Sequence, residues 1–185
     1  MLDIETLHSV DWRAIRAAGG FRPAADACWA SVWPAQVCAV RFDGGEESAR
    51  LSTTIDWGAA APPLANPHCP GLTPAAISGG VSPATFFDML ADLADGADAF
   101  VGYNVDFDMG CLRHHAAAAG RPLPEVDDVC LMQPAADRMG VRRWPKLSAA
   151  YDALCGPHDP ARAHDAEYDV HMTCGVFRAL CEVSD

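Results

Sequence analysis

Two β-branched runs joined by a tight-turn sequence constrain the fold of this chain most. Residues 36–42 (QVCAVRF) and 50–55 (RLSTTI) have the composition of β-strands. The sequence Asp43-Gly44-Gly45 lies between them, and glycine readily adopts the backbone conformations that a hairpin turn requires. The sequence therefore predicts an antiparallel hairpin at the edge of a β-sheet.

The rest of the chain alternates short apolar strands with amphipathic helices. Ser82-Pro83 predicts a helix start, as a cap followed by a first-turn proline, and Gly96 predicts its end. We predict buried strands over 99–103 and 128–132, with a helix between them. Further helices are predicted over 146–155 and 166–181, and loops over 58–70 and 156–163. This alternation favours an α/β fold, with a mixed central β-sheet flanked by α-helices.

Length and composition indicate one globular domain over residues 1–185. The chain is 50% hydrophobic and 21% charged, which is enough for one well-filled core. It has no apolar run of transmembrane length and no basic leader, so we expect a cytoplasmic protein with no membrane partner. Its eight cysteines form no C-x-x-C pair and are expected to be reduced thiols. The net charge of −12 argues against a protein that binds nucleic acid by general phosphate neutralisation.

Two acids near the start of the chain suggest a metal site. In Leu2-Asp3-Ile4-Glu5-Thr6 the strand period of two points Asp3 and Glu5 to one face. Two anions on one patch repel each other unless a cation lies between them, which suits a hard metal with oxygen ligands. On its own the pair is also compatible with a solvated strand face.

The second acidic motif is Gly102-Tyr103-Asn104-Val105-Asp106-Phe107-Asp108, where a predicted strand gives way to a helix. We expect Asn104 to cap this helix and Asp108 to lie on the same face one turn later. Asp106 and Asp108 could instead only stabilise the positive end of the helix dipole. Phe107 between the two acids indicates that the turn is packed into the fold and that one acid faces inward.

The third motif is His164-Asp165-Ala166-Glu167-Tyr168-Asp169. Asp165 is expected to cap the last helix, which leaves His164 on the preceding loop and Asp169 on the core-facing side. The apolar stripe of this helix continues through Met172, Val176 and Leu180. A carboxylate at the end of such a stripe is costly unless it is paired or metal-bound. His164 could then act over a substrate, the alternative being an ordinary surface histidine.

Together, D-I-E-T, N-V-D-F-D and H-D-A-E-Y-D resemble, in order, the three motifs of the DnaQ-like exonucleases. That family has the pattern D-x-E, N-x-x-F-D and H-x-x-x-x-D on a ribonuclease H-like fold, and it includes proofreading domains, ribonuclease T and oligoribonuclease. The resemblance covers nearly the whole chain, since Gly71-Leu72-Thr73 and residues 147–156 also resemble segments of the family.

The resemblance implies the chemistry of the site. It assigns Asp3, Glu5, Asp108 and Asp169 as ligands of two Mg²⁺ or Mn²⁺ ions and His164 as the general base. His164 stands five residues before Asp169, as in the histidine branch of the family. The implied activity is 3′–5′ exonucleolytic hydrolysis of single-stranded DNA or RNA, with release of nucleoside 5′-monophosphates from the 3′ end.

Substrate contacts are expected beside these motifs and in a basic segment. The residues assigned to substrate binding are Thr6, Leu7, Asn104, Phe107, Arg142 and Arg143. The only dense basic cluster flanks Trp144 and consists of Arg138, Arg142, Arg143 and Lys146. It is equally compatible with a solvated helix end. The tryptophans at positions 12, 29 and 33 are expected to pack in the core, with base stacking as the alternative.

Two other functions remain alternatives at this point. One is an enzyme of the same chemistry that acts on short oligonucleotides, as oligoribonuclease does. The other is a catalytically inactive nucleic-acid-binding domain of the same fold, against which the intact set of acids argues. A homodimer is compatible with the sequence, which does not indicate whether a polymerase partner exists.

Overall fold

The computed structural model describes residues 1–8, 29–69 and 71–182. Two short 3₁₀ turns, Gly58–Ala60 and Pro160–Arg162, lie in the segments predicted to be loops. The strands and helices of the described part are β1 Leu2–Thr6, β2 Pro34–Asp43, β3 Glu46–Thr54, α1 Pro74–Ser78, α2 Pro83–Ala94, β4 Ala99–Gly102, α3 Val105–Ala118, β5 Asp127–Cys130, α4 Met132–Met139, α5 Leu147–Leu154 and α6 Ala166–Cys181.

Strands β1, β2 and β3 form an antiparallel sheet in that order. The predicted hairpin is confirmed, because β2 and β3 pair up to the turn, with Asp43 opposite Glu46. Gly44 and Gly45 have positive φ angles of 60° and 92°, which glycine adopts without a steric penalty. On its other side β2 pairs with β1, so β2 is the central strand of this sheet.

Strands β4 and β5 form a parallel pair, joined by α3 as the crossover helix. Gly102 at the end of β4 lies against β1, since a Cβ atom at that position would be 3.0 Å from the backbone oxygen of Leu2. The approach brings the end of β4 and the start of α3 beside β1. It is the feature of the fold that matters most for the acids.

Helices cover both faces of the sheet. Phe86, Phe87 and Leu90 of α2 pack with Leu2 and Ile4 of β1 in the largest apolar cluster. On the opposite face, α6 packs against β2 through a smaller cluster that contains Val170, Cys174, Cys38 and Val40. Burial of each large apolar side chain contributes roughly 1.5–3 kcal/mol. Within the described ranges, no helix is long and apolar enough to cross a membrane.

The helix ends agree with the local signals of the sequence. Ser82 Oγ accepts a hydrogen bond of 3.2 Å from the backbone of Thr85 at the start of α2. The side chain of Asp165 accepts hydrogen bonds from the backbones of Glu167 and Tyr168, and α6 has the predicted bounds. Strand β5 ends at Cys130, two residues earlier than predicted, because α4 begins at Met132. The sequence analysis did not predict α4.

Candidate active site

Strand β1 places two acids on the face opposite its apolar residues. Leu2 and Ile4 lie in the core cluster, and the alternation of the strand turns Asp3 and Glu5 the other way. Glu5 is only 8% exposed, and the Oδ2 atom of Asp3 is buried without a hydrogen-bond partner. Glu5 is therefore buried and Asp3 half-buried, so the two acids do not form a solvated strand face.

Helix α3 supplies the third acid from its first turn. Asp106 is exposed, whereas Phe107 and Asp108 are buried, so the inward-facing acid expected beside Phe107 is Asp108. The ring of Phe107 packs edge-on against Trp29, with 5.6 Å between the ring centroids. A carboxylate in the first turn also lies at the positive end of the helix dipole.

Asn104 does not cap α3 with its side chain, which corrects the sequence-based prediction. It occupies the N-cap position, but its backbone is left-handed, with φ 70°, and its side chain makes no capping hydrogen bond. The first turn is closed instead by the backbone, since Phe107 N donates to Asn104 O at 2.9 Å. The reason is physical: a side-chain cap requires an extended backbone, which Asn104 does not have.

Helix α6 and the residue before its cap supply the histidine and the fourth acid. His164 has a φ angle of 63°, and among the described residues it and Asn104 are the two non-glycine positions with positive φ. Such conformations cost free energy and are retained where the surrounding structure enforces them. Asp169 lies one turn into α6, and its Oδ1 atom is buried without a hydrogen-bond partner.

The structure brings these residues together. Ligand atoms of Glu5, His164 and Asp169 all lie within 4.8 Å of one another. The Nδ1 atom of His164 is 3.7 Å from Glu5 Oε1. Asp3 and Asp108 belong to the same group of charges, because, in addition to burial, the carboxylates of Glu5 and Asp169 raise the pKa values of both. The charges of Asp108, Asp169 and Glu5 all raise the pKa of Asp3.

Burial and repulsion by neighbouring carboxylates raise the pKa values of Asp3, Asp108 and Asp169. Burial is the main cause that raises the pKa values of Asp3 and Asp108 well above the usual range, and the neighbouring carboxylates add to it. Burial and then Glu5 raise the pKa of Asp169 to about 7. The Glu5 carboxylate in turn raises the pKa of His164, against the opposing effect of burial. A group of acids held in this way is unfavourable without a cation.

The donor set fits a hard divalent cation. Four carboxylates from β1, α3 and α6 offer oxygen atoms, which are the ligands that Mg²⁺ and Mn²⁺ prefer. The two buried oxygens without a partner, Asp3 Oδ2 and Asp169 Oδ1, are the ones that most need a positive charge. In the same group, His164 keeps a side chain that is 57% exposed and accessible to a substrate.

The residues assigned to substrate binding occupy different environments. Thr6 donates its hydroxyl to His8 O at 2.8 Å, and Leu7 is 2% exposed in an apolar cluster with Ala35, Cys69 and Leu72. Arg142 and Arg143 are exposed on the segment between α4 and α5.

This basic segment lies beside the histidine. The Tyr103 hydroxyl donates to Pro145 O at 2.7 Å, which ties the segment to the end of β4. Lys146 is close enough to His164 to lower its pKa in part. Trp144 is 60% exposed, and its indole N–H donates to Gln133. The basic segment therefore presents an exposed aromatic ring and positive charges, of which Lys146 interacts with His164.

The two tryptophans described near the start of the chain pack in the protein. Trp29 is buried, and its ring lies over Gly110, where an added Cβ atom would be 2.5 Å from the indole. Trp33 packs edge-on against Trp57, with 5.1 Å between the ring centroids. The core interpretation is confirmed for Trp29. Trp12 lies outside the described residues.

Sequence analysis missed a segment that lines the site, residues 65–69, which we call the β1 strap. It runs along the end of β1 and contributes His68, whose ring centroid is 6.0 Å from that of His164. The thiol of Cys69 donates a hydrogen bond of 2.8 Å to Glu5 Oε2. The strap had been predicted only as a loop, because its contacts join positions about 60 residues apart and leave no local sequence pattern.

Comparison with known proteins identifies the fold. No protein-family model matches the chain, and neither does any curated protein sequence. Solved structures of exonuclease I do match. The zinc-bound form of E. coli exonuclease I in complex with single-stranded DNA has a TM-score of 0.68 and 20% identity, covering 97% of this chain and 39% of that one. The chain has the fold of the part of exonuclease I that it covers.

Two further structures give the same result. E. coli exonuclease I in complex with a dA16 oligonucleotide has a TM-score of 0.67 and 19% identity, and covers 97% of this chain. A product-bound exonuclease I has a TM-score of 0.65 and 19% identity, covering 96% of this chain. The predicted α/β fold of the ribonuclease H-like type is thereby confirmed. This chain spans about two fifths of the length of these structures, which are 39% and 42% covered.

Proposed function

We propose that this protein is a divalent-cation-dependent 3′–5′ exonuclease that removes nucleoside 5′-monophosphates from single-stranded nucleic acid. The observation that carries the proposal is the meeting of four acids, two buried and two half-buried, with an exposed histidine from three distant parts of the chain. Two of the acids have buried oxygens without a partner. A fold maintained without catalysis would have no reason to retain such an unfavourable arrangement, which argues against an inactive binding domain.

Asp3, Glu5, Asp108 and Asp169 would hold two Mg²⁺ or Mn²⁺ ions. When bound, the ions would activate a water and stabilise the charge that develops on the scissile phosphate and the leaving oxygen. The protein's own contribution is to hold the four carboxylates on rigid elements, β1, α3 and α6, where they need little rearrangement to act as ligands.

His164 is the proposed general base. Its Nδ1 atom faces Glu5 Oε1 at 3.7 Å, which leaves Nε2 as the nitrogen that accepts a proton from the attacking water. The left-handed backbone at His164 directs an exposed side chain back over the acids. Asp165 fixes this geometry by capping α6 directly after the histidine.

The basic segment is the proposed path of the nucleic-acid strand. Trp144 is an exposed aromatic surface on which a base can stack, and Arg142, Arg143 and Lys146 can neutralise phosphates. With a net charge of −12, the chain would attract a polyanion only locally, at this segment and at bound cations. The exonuclease I structures hold single-stranded DNA, which favours DNA as the first substrate to assay.

The test follows oligonucleotides labelled at the 5′ end and incubated with the protein in Mn²⁺ or in EDTA. We expect a ladder of products shortened from the 3′ end in Mn²⁺ and intact substrate in EDTA. A matched oligonucleotide with phosphorothioate linkages at its 3′ end should be degraded more slowly. Parallel reactions with DNA, RNA and dinucleotides separate a long-strand exonuclease from an enzyme for short oligomers. Immediate release of the labelled 5′ nucleotide, or no cleavage of any substrate, would contradict the proposal.

A further inference from the structure

A buried thiol contacts one of the proposed metal ligands. Cys69 is a free cysteine, 2% exposed, whose Sγ donates to Glu5 Oε2 at 2.8 Å. The two residues are 64 positions apart in the chain. Neither the proposed reaction nor the acidic motifs assign any role to this cysteine. A polar contact to a buried carboxylate nevertheless has consequences for how that carboxylate is held.

Hydrogen bonds that do not involve Glu5 fix the position of the thiol. Within the β1 strap, Ala65 N donates to Leu7 O at 2.7 Å. The Asn66 side chain donates to Thr6 O at 2.9 Å. On the other side of Cys69, its own carbonyl accepts from the backbone of Leu72 at 3.0 Å. The thiol is therefore brought to Glu5 by a segment that is attached to the end of β1 in its own right.

The surroundings of this contact strengthen it. Cys69 packs in an apolar cluster with Leu7, Ala35 and Leu72. A hydrogen bond to a carboxylate in such a medium is stronger than one in water. Glu5 uses its two oxygens for different purposes, since Oε2 accepts from the thiol while Oε1 faces His164. Without the thiol, the terminal torsion of glutamate has a broad energy minimum and the carboxylate can rotate.

We propose that Cys69 is a positioning residue for the cation site, whose thiol holds Glu5 Oε2 so that Oε1 is directed toward His164 and Asp169. This inference rests on the proposed function, because it takes Glu5 to be a metal ligand. Outer hydrogen bonds to metal-binding carboxylates orient the ligand, and their loss commonly weakens metal binding or activity by about 10–100-fold. The thiol does not itself touch the substrate.

The experiment measures Mn²⁺ affinity by titration calorimetry on the full chain and on four variants. Cys69→Ser keeps a donor of similar size, whereas Cys69→Ala and Cys69→Val remove it. Cys174→Ala is the matched control, because Cys174 is also a buried free thiol but lies in the cluster between α6 and β2. Melting temperatures in EDTA are recorded for all variants, and the valine variant carries the test if the alanine variant does not fold.

We expect the Ala and Val variants to bind Mn²⁺ about 10-fold more weakly than wild type, with Ser much closer to wild type and Cys174→Ala unchanged. In the nuclease assay, the Ala variant should need more Mn²⁺ for half-maximal rate. Its kcat at saturating Mn²⁺ should fall by a smaller factor than its Mn²⁺ affinity does. A purely structural role would lower the melting temperature and leave Mn²⁺ affinity intact. Wild-type affinity in both the Ala and Val variants overturns the inference, as does a loss in Ser equal to that in Ala.

The outcome is separable from that of the proposed function. A wild-type protein that binds Mn²⁺ in a Cys69-dependent way but cleaves no nucleic acid contradicts the exonuclease and leaves the positioning role intact. A wild-type protein that cleaves from the 3′ end, with Mn²⁺ affinity indifferent to Cys69, supports the exonuclease and removes the positioning role. Absence of any Mn²⁺ binding by the wild type contradicts both.

Discussion

Burial is favourable on one face of the five-residue strand β1 and unfavourable on the other. Leu2 and Ile4 pack against α2 in an apolar cluster where burial stabilises the protein. Asp3 and Glu5, on the other face, lie near Asp108 and Asp169, and burial in this group raises the pKa values of Asp3 and Asp108. One strand thus contributes stability on one side and stores an unfavourable charge distribution on the other. The difference indicates that the acidic face is arranged for a ligand and not for the fold.

The largest effect is expected from Asp108→Asn, which removes one of the four carboxylates that meet at the acidic face of β1. This variant should lose activity by at least about 10²–10³-fold, because a ligand of the site is removed. In EDTA it should melt at a higher temperature than wild type, since a buried charge that repels its neighbours is gone. Both quantities are measured on the same preparation.

The control is Asp106→Asn, two residues earlier on the same helix and exposed. It should change neither the rate nor the melting temperature appreciably. If Asp108→Asn degraded oligonucleotides as fast as wild type, the assignment of the acidic face would be wrong.

A second prediction separates chemistry from metal binding on the acidic face. Changing His164 to Asn should reduce the rate by about 10²–10⁴-fold, the usual contribution of a general base. Mn²⁺ affinity, measured by calorimetry, should be nearly unchanged, because the four carboxylates remain. Asn is preferred to Ala because it tolerates the left-handed backbone at this position.

The matched control for the histidine is His158→Asn. His158 is hydrogen-bonded to Asp152 at 2.7 Å, on the segment after α5. It should retain the wild-type rate. Full activity in His164→Asn would exclude a histidine base.

A third prediction concerns the apolar face. Ile4→Val removes one buried methylene group and should lower the free energy of unfolding by about 1 kcal/mol. The rate per folded molecule should stay within about twofold of wild type, since no polar group changes. Chemical denaturation and the nuclease assay, run below the transition, measure the two quantities. A large loss of rate with little loss of stability would show that the two faces are not independent.

The smallest effect is expected from His115. Helix α3, like β1, has one side chain that faces the acids and another that is buried among apolar residues. Asp108 points to the acids, whereas His115, two turns later, is buried between Trp33 and Trp57 and contacts Val32 O through Nε2 at 2.7 Å. Burial lowers the pKa of His115. Below about pH 6.5 the unfolded state therefore binds a proton at His115 more readily than the folded state does. Protonation of His115 thus lowers the free energy of unfolding as the pH falls.

The measurement compares wild type with His115→Gln. We expect the free energy of unfolding to fall less between pH 7 and pH 5 in the variant than in wild type, because Gln does not titrate. The carboxylates titrate in both proteins, so the difference between the two curves isolates the histidine. Identical curves would mean that His115 is protonated equally in the folded and unfolded states.

Local signals made most of the fold predictable. Ser82-Pro83 and Asp165 begin helices through contacts within three residues, and the Gly44-Gly45 turn sets the hairpin. Helix α4 was missed because it begins only two residues after β5 ends, in a stretch whose apolar residues also suit a strand. The cap at Asn104 was wrong because a side-chain pattern does not reveal a left-handed backbone.

The acids and the histidine were accessible from sequence because each lies in a short motif of fixed spacing. Cys69 was not, since nothing near it in the chain distinguishes it from the other cysteines. Its contact with Glu5 depends on how the β1 strap returns to the end of β1, a long-range arrangement that tertiary structure alone defines. The contact of Trp29 with Gly110 is likewise long-range and is defined only by the tertiary structure.

The absence of a side chain at position 102 sets a dimension of the acidic site. A Cβ atom on Gly102 would be 3.0 Å from Leu2 O and 3.1 Å from Val105 Cβ, so an alanine there would require β1 or the start of α3 to move by a few tenths of an ångström. Such a movement would change the distance from Asp108 to Asp3 and Glu5. The spacing of the four acids therefore depends on the absence of a side chain at position 102, although Gly102 contributes no polar group to the candidate site.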